Sequence, residues 1–227
     1  KVTGTTEINT IEITTTGTQT YTGNVTLLAD TTLTAGSTQN ISMGSDLTGD
    51  GHTLTISGGN FALTKATVPV ITSLPTLIFS GGNAQSFDTG GAQFASVTFN
   101  TTNTVTLTDA LKVTGTVTVN GAGTIVDFDT NDTGFNQSTG QNFTITEGTV
   151  NVGTGQFICG TLDVTTAVTC IFTQTGVNTG TQSAENITGA GTINWDNGDE
   201  GGTLGLGGSS ASAVYFHHKH VTINKTP

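Results

Sequence analysis

No arginine occurs among the 227 residues, and five lysines stand against sixteen acidic side chains, a net charge of −11. Nucleic-acid binding needs a basic footprint that neutralises phosphates, so that class is set aside. An anionic membrane surface is disfavoured on the same ground. Charged residues of both signs make up 9% of the chain, where an ordinary globular sequence has about 25%. Proline occurs three times, cysteine twice and tryptophan once. No apolar run nears the ~18 residues that span a bilayer, so no membrane insertion is expected. The opening residues, KVTGTTEINT, do not read as a signal peptide. Either a signal has been removed or the chain is a piece of something longer.

In place of charge stand Thr, Asn, Ser and 32 Gly. Low charge with low hydrophobicity also marks disorder, but here the apolar residues are ordered in sequence. NVTLLADTTLTA, HTLTIS, TVTLTDALKVTGTVTV, NFTITEGTVNV and HVTINKT alternate a branched or apolar residue with Thr or another polar one. That period of two is the signature of half-buried strands. Gly, Asn and Asp clusters such as TGDG, SGGN, NGAG and TNDTG separate the runs and supply turn conformations. No long segment has helical spacing.

Even spacing of short strands leaves a sandwich, a barrel or a solenoid, and internal repetition favours the last. Thr76 to Thr102 and Thr203 to Thr226 both run TL, an apolar residue, GG, small polar residues, an aromatic, then VT, Phe or Ile, Asn and Thr. The repeat unit is about 125 residues, several coils long. A single continuous domain over 1–227 is expected, with approximate sub-units 1–75 and 76–202 and another repeat opening at 203–227. The second copy stops at Pro227 where the first goes on, which suggests a longer array or a strand supplied by a neighbour. The expected fold is all-β, a right-handed β-solenoid (parallel β-helix) of short coils, with a β-sandwich as the lesser alternative. Coils of ~20–25 residues stacked at the strand spacing of ~4.8 Å give roughly ten coils and a length of ~45–50 Å. Val, Leu, Ile and Phe take inward positions. Thr, wet yet strand-forming, takes the outward ones.

The stretch from Ile13 to Thr64 carries T-G-x-Q-x-Y, a V-x-L strand, A-D-T-T-L and G-x-x-L-T-I in that order. It resembles the repeats of giant bacterial surface proteins of the filamentous-haemagglutinin type. Leu74 to Asn186 more loosely resembles the Gly/Thr/Asn-rich repeats of other autotransported adhesins. The resemblance covers most of the chain and implies a solenoid exported to the cell surface as a stalk, adhesin or filament. The NPNG-type motif of that family's secretion domain is missing from the sequence.

Candidate sites are few. Asp127, Asp129, Asn131 and Asp132 alternate oxygen donors as a Ca²⁺ loop does, although Asp132 stands where Gly belongs and Ser138 where Glu belongs. Asp196, Asp199 and Glu200 form a second acidic turn, beside Trp195. His218 and His220 share one face of a strand about 7 Å apart, a spacing that suits Zn²⁺. Each group has an ordinary reading as well, a polar turn or an outward strand face. No cofactor is required, and Ca²⁺ is the candidate. Cys159 and Cys170 are either a disulfide or two small buried residues. Sequons stand at Asn24, Asn40, Asn100, Asn131, Asn136, Asn142, Asn186 and Asn224, marking a candidate glycoprotein. Tyr21, Phe79, Phe87, Phe94, Phe99 and Phe216 read as core rungs.

An enzyme is not expected. Solenoid polysaccharide lyases and hydrolases pair clustered acids with Arg or Lys, an electrostatic half this chain lacks, and no G-x-S-x-G occurs. Outward T-x-T pairs raise ice binding, but the pairs do not recur at one coil length. The leading expectation is an exported, extracellular structural protein of the cell surface. Its partners would be copies of itself, flanking repeats or surface glycans. The alternatives are a self-assembling filament subunit joined by strand addition through VTINKTP or KVTGTTEINTIEITTT, and a Ca²⁺-stabilised glycan-binding module.

Overall fold

The computed structural model describes residues 1–165 apart from 129, 132, 139 and 154. Beyond them it describes the strands Ile171–Gln174, Gln182–Gly189, Thr192–Trp195, Leu204–Leu206 and Val214–Phe216. All of its regular structure is β, and every strand pairing is parallel. The chain coils into a β-solenoid whose turns each place strands on three faces. Seven such turns lie between Thr6 and Val152.

The first face is built from Glu12–Thr14, Thr31–Thr34, Leu54–Ser57, Leu77–Gly81 and Val97–Thr101, and continues into Val117–Asp127 and Asn142–Val152. The second stacks Gln19–Tyr21, Asn40–Met43, Asn60–Leu63, Gln85–Asp88 and Thr104–Leu107 before the later parts of the same two long strands. The third comes in two pieces. Thr6–Ile8, Val25–Leu27, Leu47–Thr48 and Ile71–Thr72 form one ladder. Gln93–Phe94, Leu111–Val113, Phe135–Gln137 and the start of Phe157–Val164 form another. Leu77–Gly81 lies on the first face, and Leu204–Leu206, which pairs with 182–184, on the third.

Paired residues on successive turns lie between 19 (Thr6 with Val25) and 27 (Asn120 with Glu147) positions apart. The variation sits in the corners. Between the first two faces, one corner is only Gly58 and Gly59, while another takes five residues, 35–39. Gly59 turns at φ +78°, a conformation that L side chains rarely adopt, and a Cβ there would stand 2.8 Å from the Gln39 carbonyl oxygen. Because strands alternate their side chains, each strand keeps its phase whatever the corner length. Most Val, Leu, Ile and Phe point inward and most Thr points out, with Ile78 facing out and Thr31, Thr101 and Thr124 buried.

The core is a continuous apolar column of fully buried side chains. Aliphatic layers around Leu33, Ile41 and Ile56 give way to rings, in which Phe79 lies 4.7 Å from Phe87 and 5.5 Å from Phe99 between centroids. A second ring cluster joins Phe128, Phe135, Phe143 and Phe157. Tyr21, Phe79, Phe87, Phe94 and Phe99 are buried, as core rungs require, while the side chain of Phe216 lies outside the described residues.

Polar residues also enter the interior. The Gln19 amide donates to the carbonyls of Ile13 and Thr34, and Gln137 donates to those of Gly115 and Asn142. These glutamines bond carbonyls at or beside strand ends, and the Thr34 carbonyl accepts from the Thr15 amide as well. Thr124, fully buried, donates to the Thr101 carbonyl at 2.6 Å and accepts from the Thr101 amide at 3.0 Å. A Cβ on nearby Gly121 would stand 2.2 Å from that carbonyl oxygen, so the close approach needs glycine.

Candidate functional site

Outward positions line up in columns. On the first face Glu12, Thr32, Thr55, Ile78, Thr98, Thr118, Thr144 and Asp163 share one register. A parallel row holds Ser57, Ser80 and Asn100. Unequal coil length therefore does not disorder the outward array, contrary to the sequence argument, because the corners absorb it. Stacked polar side chains also bond between turns, as Asn60 Nδ2 does to Asn40 Oδ1 at 3.1 Å. Thr108, Thr114 and Thr165 each donate from Oγ1 to a carbonyl one turn earlier.

The third face is where the regular surface stops. No backbone hydrogen bond among the described residues joins the Ile71–Thr72 rung to Gln93–Phe94. The chain around it reads ATVPVITSLP, with Pro69 and Pro75 on either side of the rung, and proline brings no amide to a ladder. Val68 and Val70 stand 61% and 57% exposed. Two hollows open there. One of about 320 Å³ lies against Gly51, Ile71, Ser73, Leu74, Pro75 and Ala95. The other, about 410 Å³, is bounded by 68–71, Gly91, Gln93 and Lys112.

Asp46 anchors this segment from the turn below. Its Oδ1 accepts from the Lys65 ammonium and from the Val70 amide. The Lys65 hydrogen bond, then that of Val70, hold its carboxyl below the ordinary range. Lys112, outward on the same face, has no ion-pair partner among the described residues.

The acidic turn after Phe128 is described in part. Asp127 accepts from the Thr130 amide and hydroxyl, and the Asn131 amide donates to the Leu107 carbonyl. Asp129 and Asp132 lie outside the described residues, as do Asp196, Asp199, Glu200, His218 and His220. Among the described residues no group of three acid, His or Cys side chains is gathered. Cys159 is buried, and Cys170 lies outside the described residues. Of the sequons, Asn24, Asn40, Asn100, Asn131, Asn136 and Asn142 are exposed. The side chain of Asn186 and all of Asn224 fall outside the description.

Sequence reasoning missed the split third face and the buried glutamines. The signal for the first was present in ATVPVITSLP, where apolar residues stop alternating with Thr. The chain matches no protein-family model, no curated protein and no solved structure.

Proposed function

We propose that this chain is a structural segment of an exported cell-surface protein, a stalk, adhesin or filament made of stacked turns. One observation carries the reading: an apolar column is clad in register mostly by short neutral polar side chains. Such a body gains ~4.8 Å of length per turn from the strand spacing, with every turn fixed by its neighbours. Outward Thr, Ser and Asn keep a long rod wet while still suiting a strand. The resemblance of Ile13 to Thr64 to surface-adhesin repeats points the same way. Export, surface location and attached glycans belong to this proposal.

Antibody raised against the chain, applied to intact and to opened cells of the source organism, tests it. Gold label on the outside of intact cells, on thin projections, is the expected result. Label confined to the interior of opened cells would sink the proposal. Assembly with further copies is favoured by a separate observation, the exposed valines of the split face.

A further inference from the structure

We propose that the split third face is a socket for a second copy of this chain, entered by Ile11 with Glu12 at its side. The inference rests on the structural reading above and deepens it by naming a partner.

Val68 and Val70 are the only large hydrophobics so exposed on the described third face, and they border the hollow of about 410 Å³. On a rod clad in Thr, Ser and Asn, a hollow walled in part by two bare valines is the surface most improved by being covered. Lys112 stands at its rim without an ion-pair partner among the described residues.

The complementary feature lies in the first turn of the described rod. Ile11 is 77% exposed, the most of the large hydrophobics described. It sits at the corner that leads from Thr6–Ile8 into Glu12–Thr14, with exposed Glu7 and Glu12 on either side. An apolar tip between carboxylates matches a hollow walled by valine, proline and isoleucine together with Gln93 and Lys112. Unlike charges at a rim steer the encounter and fix its register.

The two patches lie on turns well separated along one rod, Ile11 in the first and Ile71 in the fourth. A copy therefore cannot fill its own socket. The contact joins unlike patches, and contacts of that kind propagate from copy to copy unless they close into a ring.

Sedimentation velocity on the 227-residue chain over a wide concentration range tests this. The wild type is expected to associate reversibly. Ile11→Ser and Val68→Ser should each weaken association about tenfold or more, as central apolar anchors do. Glu12→Lys and Lys112→Glu should each weaken it as well, and the E12K/K112E double variant should recover most of the loss, since only a direct pair couples that way. Melting followed by circular dichroism checks that each variant folds, and the exposed positions give no reason for failure. A wild type that stays monomeric at every concentration overturns the inference. So do single variants that associate like the wild type, or a charge-swapped double no better than its parents. A monomeric wild type with gold label on intact cells removes the socket and leaves the structural reading standing; interior label removes the structural reading itself.

Discussion

The first and second faces carry their ladders without interruption through the described turns, whereas the third face breaks between Thr72 and Gln93. All three are made by the same turns and share one core. Continuity on two faces is thus enough to hold successive turns in register, and the third is released to do something else. Composition accounts for the difference. The strands Leu77–Gly81 and Gln85–Asp88 contain no proline, while the rung between them and the turn below is bracketed by Pro69 and Pro75.

The strongest way to break the comparison is from inside. Phe79 packs against Phe61, Phe87 and Phe99 in the region where the two whole faces meet the split one. Phe79→Ala should cost about 3–5 kcal/mol, read from denaturant unfolding. A loss below about 1 kcal/mol would mean that the continuous faces, and not the rings, hold this region.

Thr124→Val keeps volume but strands the Thr101 amide and carbonyl. We expect a loss of about 1–3 kcal/mol by the same measurement, the cost of buried groups left unmade. An unchanged stability would show that water reaches that corner.

Asp46 sharpens the contrast at the split face. Its carboxyl is held below the ordinary range by Lys65 and Val70. A depressed carboxylate contributes stability that is present above its unfolded value and lost as pH falls through its folded one. Acidification below the ordinary carboxylate range should therefore release the 68–72 segment first. Amide exchange at Val70 and Ile71 should quicken there before exchange at Phe79 does. Asp46→Asn should show fast exchange at Val70 already at neutral pH. Equal exchange on all three faces at every pH would erase the distinction.

The smallest effect is expected on the outward columns. Thr98→Ala, in the middle of the first-face row, should move stability by no more than about 0.5 kcal/mol. A larger loss would make the cladding a source of cohesion as well as of wetting.

Much of the fold was legible in the sequence because the solenoid repeats one physical instruction. Alternation such as Val25-Thr26-Leu27 states both strand and phase, and stacking follows once turns of similar length recur. Gln19 and Gln137 were not legible, since a polar residue in an alternating strand reads as outward until the backbone carbonyls it bonds inside are seen. The break at Ile71 was hidden for a related reason: sequence shows that proline interrupts a strand, but not which neighbouring strand loses its partner. Alternating acids suggested a cation loop; the side chains described there bond to Thr130 and the Leu107 carbonyl, while Asp129 and Asp132 lie outside the described residues.

The corners that differ in length from turn to turn have a consequence for heredity. Because strand phase is reset on every face, an insertion or deletion in a corner leaves the rungs above and below where they were. Gly51, exposed at such a corner with open space beyond its Cα, marks one place where foreign sequence could enter. A gene for this rod can therefore drift in length far faster than it drifts in shape, and its descendants would share a form long after their sequences ceased to align.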